Sequence, residues 1–502
     1  MKKKTLLAVL MLAVSIGLFG CAGGSKDGSS SEKNNSIVVG IQNDLDSLDP
    51  HLAETAGTRE VMYNVFEGLV KPDKEGNLVS AVASDYKVSE DGTVYTFTIR
   101  ENVKFHNGDV VTAEDVKYSI ERNAGMLDQQ LLISAFAKIK SVNILDDSTV
   151  EVVLSEADTE FIGYMTVAII PKDYNGQASA PVGTGPFRFV SYTPQQSIKM
   201  EKFGDYWQEN VPVLDKVEFR IVQNTDSVIL DMKAGSIDVY PYLTDSQAAE
   251  LEGTFNIEAG NSNLAQALYL NNSHEILGNK LVRQALCYAI DRDEIMSIVA
   301  GGKGTKSGSA LYSGFGRYYK DLSDKYTYDV EKAKALLAEA GYADGFSFTI
   351  KIPSNYQFHV STGEVIVEQL KKIGVTAGIE LIDWTTWLED VYTNRKFEAT
   401  VIGIDAKLAP SDMMLRYQSD FSKNFCNYNN KEYDETLALA MGTTDENEKA
   451  QYYHKLQELL AEDAAAVYIM DPPTLVAVNK KLTGFTFYPI FVQDMSTLRF
   501  QQ

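Results

Sequence analysis

What this 502-residue chain lacks narrows it first. It has three cysteines, Cys21, Cys287 and Cys426, with no CxxC spacing, so neither a disulfide-built scaffold nor a cysteine metal finger is available. Cys287 and Cys426 read as buried free thiols, with one disulfide as the alternative. Histidine is scarce as well. His51, His106, His274, His359 and His454 lie far apart, which removes the HExxH helix of the common zinc hydrolases. His274-Glu275 begins such a string but continues Ile276-Leu277-Gly278. There is no GxSxG elbow and no P-loop lysine-serine pair,. No metal, no cofactor and no catalytic residue is expected, although scattered carboxylates leave a hydrolase open. Basic charge is short: 46 Lys and Arg face 69 Asp and Glu, for a net charge of −23. That excludes nucleic acid, whose binding needs a basic face to displace counterions. Acidity in an exported chain mostly solvates its surface and identifies no ligand.

What is present starts with bulk. The length allows two to four domains, and 44% hydrophobic with 23% charged residues is a globular balance,. Lys2 to Lys4 precede an apolar run from Leu6 to Phe19, the composition of a secretory signal,. The run ends in Leu18-Phe19-Gly20-Cys21, which resembles a bacterial lipobox, in which the cysteine is lipidated and becomes the first residue. Phe19 is bulkier than the residue usual at that place, and an ordinary signal cleaved near Ala22 is the alternative. Ala22 to Ser36, rich in Gly, Ser and Asn, has too little apolar surface for a core and reads as a tether of roughly 20 Å r.m.s. length.

Short strands alternate with helices from Ile37 onward, a mixed α/β pattern without a repeat. Val94 to Ile99 alternates, placing Tyr95, Phe97 and Ile99 on one sheet face,. Thr112-Ala113-Glu114-Asp115 has the form of a capping box. Asp329 caps a helix with Ala333, Leu336, Leu337 and Ala340 inside and Gly341 as its left-handed stop. In PVGTGPFRF, Pro181 to Phe189, the place of a dinucleotide loop's third glycine is Arg188, Pro186 removes a donor, and an alternating strand follows instead of a helix,. The stretch reads as a tight turn feeding a strand. Many of the 27 tyrosines and 22 phenylalanines belong to cores; as a set they suit a cleft for a polar organic ligand.

Six stretches together resemble the family 5 solute-binding lipoproteins of ABC importers, the oligopeptide, dipeptide and nickel group. They are Asp46-Ser47-Leu48-Asp49-Pro50, Asn64-Val65-Phe66-Glu67-Gly68-Leu69, Tyr95 to Arg122, PVGTGPFRF, Leu281 to Ile295 and Leu336 to Gly345, in the family's order. The resemblance implies a two-lobe periplasmic-binding-protein fold of class II with an extra subdomain inserted in the first lobe. Residues 1–20 would be the signal and 21–36 the lipidated tether. Residues 37–52, 183–268 and 479–502 would form the first lobe, 53–182 its inserted subdomain and 269–478 the second lobe. The chain would cross between lobes near Leu268 to Asn271 and near Val476 to Asn479. PVGTGPFRF would return it from the insertion.

The resemblance also implies a function without chemistry: capture of a short peptide between closing lobes and delivery to a permease with its ATPase. The receptor would be a monomer anchored through Cys21 on the outer face of the cytoplasmic membrane, or periplasmic where two membranes exist. Glu54 matches the family's acidic ligand residue, with Thr55 and Ala56 beside it; a solvated loop is the alternative. Trp384, or its neighbour Trp387, matches a tryptophan that packs on the ligand; for either, the core is the alternative. Peptide binders place a tryptophan after the glycine equivalent to Gly403, then an aspartate for the peptide ammonium. Here Ile404 stands for the tryptophan and Lys407 for the aspartate, with Asp405 two places earlier and Ala406 between. That departure leaves a sugar, opine or nickel-metallophore ligand open. His359 reads as structural.

Overall fold

The computed structural model describes residues 35–501 except 75, 223–226, 262–263, 406–407, 489 and 491. The expected signal, Cys21 and nearly all of the tether lie outside the described residues, as do Ala406 and Lys407.

Three sheets organise the described chain. A seven-stranded sheet runs, in spatial order, Phe255–Asn261, Pro473–Asn479, Val239–Tyr240, Ser36–Ile41, Lys216–Ile221, Ser197–Lys202 and Phe187–Thr193. Ile37, Val39, Val217 and Phe219 of its centre share one face, buried in one apolar core, while Val38 packs against a second core on the other face, so the central strand is covered on both sides. A six-stranded sheet runs Thr305–Lys306, Ala466–Asp471, Leu264–Leu270, Ala399–Asp405, Ser347–Pro353 and Thr376–Ile382. The sheet-to-sheet passages therefore fall between Asn261 and Leu264 and between Asp471 and Pro473, a few residues before Leu268 and Val476.

The third sheet is antiparallel, Ala83–Val88, Val94–Ile99, Thr149–Leu154 and Ile139–Asp146. Tyr95, Phe97 and Ile99 do share its buried face, opposite Val150 and Val152. The helix Ala113–Asn123 packs against it and carries the expected box: Asp115 N–H donates to Thr112 Oγ1 at 3.3 Å, and Thr112 N–H to Asp115 Oδ2 at 2.9 Å. Asp329 likewise caps Val330–Glu339, and Gly341 takes φ +89°. Cys287 and Cys426 are both free and buried; burial raises their thiols to about 12 and about 11, which leaves them inert,.

The PVGTGPFRF turn links the antiparallel body to the strand Phe187–Thr193, so no helix N-terminus stands behind it,. Its glycines answer to space. A Cβ on Gly183 would lie 2.2 Å from the Val65 carbonyl oxygen, and one on Gly185 2.6 Å from that of Asn64. In return Gly185 N–H donates to Val65 at 2.9 Å and Phe187 N–H to Asn64 at 3.0 Å. His106 pins the turn: its Nδ1 accepts from Gly183 N–H at 3.4 Å and its Nε2 lies 2.9 Å from the Gly185 carbonyl, to which it donates,.

Candidate functional site at the carboxyl ends of the parallel strands

Ligands of open α/β sheets gather beyond the carboxyl ends of parallel strands. Ser36–Ile41 is parallel to Lys216–Ile221 and to Val239–Tyr240. In the second sheet, Ser347–Pro353 is parallel to Thr376–Ile382 and to Ala399–Asp405. The residues just past these ends form the candidate site.

At the second edge, Asp383 caps the turn after Ile382 by accepting from Thr386 N–H at 3.1 Å and Thr386 Oγ1 at 2.6 Å. This positions Trp384 and Trp387, whose rings stack at 5.0 Å and 4°, while Tyr356 meets Trp384 edge-on at 5.3 Å. The two tryptophans differ in burial. Trp387 is 2% exposed and its Nε1–H donates to Thr400 Oγ1 at 3.0 Å; Trp384 is half-buried. Trp387–Thr393 winds as a π-helical turn, a geometry frequent at functional sites.

Asp405 ends its strand half-buried, in electrostatic reach of Tyr356, Tyr392 and Arg416. Arg416 Nη1 donates to the Tyr392 phenol at 2.6 Å, while its buried Nε has no hydrogen-bond partner among the described residues. Burial works against the guanidinium's charge, but Tyr392, Asp412 and Asp405 outweigh it and hold its pKa above the ordinary value. A cavity of about 10 Å³, the size of one water, lies among Tyr269, Ile404, Arg416, Tyr417 and Phe425. Gly403 N–H donates to His359 Nε2 at 3.2 Å. The proton is then on Nδ1, facing the Gln266 side-chain amide at 2.8 Å, which must present its oxygen there,. Burial lowers this imidazole to about 4, so it is neutral and structural.

At the first edge, Asp46 fixes the segment around Glu54. It accepts from Glu54 N–H at 2.7 Å, Thr55 N–H at 3.0 Å and Thr55 Oγ1 at 2.9 Å. Burial opposes its charge, but bonds from Thr58, Glu54 and Thr55 prevail and hold it below the usual carboxylate range. Thr55 caps the helix Ala56–Met62. Glu54 and Thr55 are exposed and Ala56 half-buried. Deeper in, burial raises Glu60 to about 7, and it accepts from the Tyr242 phenol; Tyr242 has φ 68°, a left-handed strain found at functional positions. The buried Gln493 amide adjoins both without a well-formed hydrogen bond.

Among the described residues, then, the structure gathers Trp384, Trp387 and Asp405 at one edge and Glu54, Thr55 and Ala56 near the other; no hydrogen bond or ion pair joins the two groups. Sequence reading missed Asp46, Tyr242, Tyr356, Tyr392 and Arg416. Arg416 had one signal, a lone cation inside the apolar stretch Met413-Met414-Leu415-Arg416-Tyr417. The tyrosines had none beyond their abundance.

The profile of bacterial extracellular solute-binding proteins, family 5 Middle, matches residues 77–425. The glutathione-binding protein GsiB of Salmonella typhimurium is 28% identical over 505 residues, covering 96% of each chain. The oligopeptide-binding protein AppA of Bacillus subtilis is 27% identical over 530 residues, covering 97% of each. The structure of the ABC transporter-associated periplasmic binding protein DppA from Helicobacter pylori, in complex with the peptide STSA, superposes with a TM-score of 0.80 at 27% identity, over 93% of this chain and 98% of that one.

Proposed function

The chain belongs to the bacterial extracellular solute-binding proteins of family 5 and is a solute-binding protein of an ABC importer, and on that premise we propose that its solute is a short peptide. The observation that carries this is the second edge. Trp384 gives a half-exposed aromatic face, and the half-buried Asp405 carboxylate ends the neighbouring strand. A peptide's ammonium can pair with such a carboxylate through a charge-assisted hydrogen bond. Relatives named for binding glutathione and oligopeptides support the reading. Glu54, Thr55 and Ala56 would contact the ligand from the first lobe, with Trp384 and Trp387, Asp405, Ala406 and Lys407 opposite. A ligand touching both lobes favours the closed form that a permease recognises.

We also propose lipid anchoring at Cys21 and action as a monomer beside a permease and its ATPase. The lobes would be residues 37–52, 183–268 and 479–502 with the insertion 53–182, and residues 269–478, with the two lobe-to-lobe boundaries moved to the sheet passages at 261–264 and 471–473. Among the described residues no helix is long and apolar enough to cross a membrane.

Calorimetry with a tripeptide and its N-acetylated form tests the assignment. Acetylation is expected to weaken binding about tenfold or more, and Asp405→Asn to abolish that difference. Equal binding of both forms by the wild type, or release of a single non-peptide mass from the purified protein, overturns it.

A further inference from the structure

Away from both edges, the antiparallel body touches the second lobe directly. Glu160 opens the turn Phe161–Thr166, which is anchored because the Phe161 ring packs on Tyr95 at 5.6 Å and on Phe136 at 5.4 Å. The Glu160 carboxylate does not serve its own body. Its Oε2 accepts from Ser411 N–H at 3.0 Å and its Oε1 from the Tyr453 phenol at 2.6 Å. Both donors belong to the second lobe, Ser411 in the helix Pro410–Met414 and Tyr453 in the helix Glu446–Glu462. Thr159 adds a bond from Oγ1 to the Thr443 carbonyl at 3.1 Å. Tyr453 is braced by the Tyr318 ring at 5.4 Å. The Lys449 ammonium, whose side chain is 2% exposed, lies in the carboxylate's field and bonds Glu446 at 3.4 Å.

A buried carboxylate is tolerated only while its oxygens are met. Glu160 is 7% exposed, and both of its side-chain bonds cross between bodies. Separation of the lobes removes them and returns Glu160, Tyr453 and Lys449 to water. If this arrangement is the closed one, the contribution of the contact falls on it alone, and no ligand atom takes part. We propose that Glu160 is a positioning residue, a clasp that sets the fraction of unliganded receptor already closed and so scales its affinity for any solute. The apparent dissociation constant varies inversely with the binding-competent fraction. The clasp rests on the two-lobe solute-binding reading but not on the solute being a peptide.

Small-angle scattering of the full chain, stripped of bound solute by unfolding and refolding, tests it. Glu160→Ala is expected to lower the closed-to-open ratio about tenfold and enlarge the radius of gyration. Tyr453→Phe, which removes one donor and keeps the ring, is expected to give a smaller shift. Glu160→Gln serves if the alanine variant misfolds, since its amide oxygen meets one donor only. Identical radii for the wild type and both variants overturn the clasp. The second readout is dissociation of trialanine, expected to quicken about tenfold in Glu160→Ala; an unchanged rate overturns the clasp's effect on affinity. If trialanine binds neither protein while the radii still differ, the clasp stands and the peptide reading fails.

Discussion

Two glycine segments of this molecule invite comparison, the turn Pro181 to Phe189 and the strand end Gly403 to Asp405. Each is held by a neutral histidine that accepts a glycine N–H, His106 from Gly183 at 3.4 Å and His359 from Gly403 at 3.2 Å. They differ in what remains. In the turn, the backbone of Asn64 and Val65 occupies the space a side chain would need and takes the N–H groups of Gly185 and Phe187. At the strand end, Gly403 and Asp405 complete a regular ladder with Gln266 and Leu264, and the unspent chemistry is in side chains, Asp405 with its neighbours Tyr392 and Arg416. Glycines mark where backbone meets backbone; binding is left to places where the backbone is satisfied and side chains are not.

Gly183→Ala attacks the architectural half of that contrast and should have the largest effect. The new methyl would meet a main-chain oxygen, which cannot swing aside. We expect a loss of about 4 kcal/mol or more, or failure to fold, in urea unfolding. Peptide affinity per folded molecule should be unchanged. A loss under about 1 kcal/mol shows that the turn can move and that its glycines are not fixed by close approach.

The paired tryptophans sharpen the other half. Trp387→Ala opens a core cavity and strands the Thr400 hydroxyl, and should cost about 3–4 kcal/mol,. Trp384→Ala, at the half-buried face of the same stack, should cost about 1 kcal/mol of stability while weakening tripeptide binding roughly tenfold, as loss of an aromatic anchor does. If the two variants lose stability alike and affinity not at all, both tryptophans are core and the ligand lies elsewhere.

The same contrast explains what the sequence disclosed. The turn, the Thr112 box and the alternation of Tyr95, Phe97 and Ile99 are local, so residue type and spacing sufficed. The crossing of Glu160 to Ser411 and Tyr453 joins residues 251 and 293 positions apart, and no window of sequence contains it. Arg416 is oriented by Tyr392, 24 positions before it. Asp405 was legible as a candidate only through family resemblance; its electrostatic partnership came from packing.

The smallest effects concern the two histidines. Burial lowers both to about 4 from an ordinary value near 6.5. In the unfolded chain each gains its proton as pH falls through about 6.5, whereas the folded state resists until about 4. Stability is therefore complete above pH 6.5 and lost progressively between pH 6.5 and 4. His359, 6% exposed, should account for about 2 kcal/mol between pH 7 and pH 5. His106, which is half-buried by surface exposure, should account for about 1 kcal/mol, since water screens part of its charge. His359→Gln and His106→Gln keep an acceptor for the glycine N–H without titrating. Each should flatten the thermal-stability profile over this window, His359→Gln more. Equal slopes in wild type and both variants would mean that the imidazoles reach solvent, and that the two glycine segments are held by something other than a neutral ring.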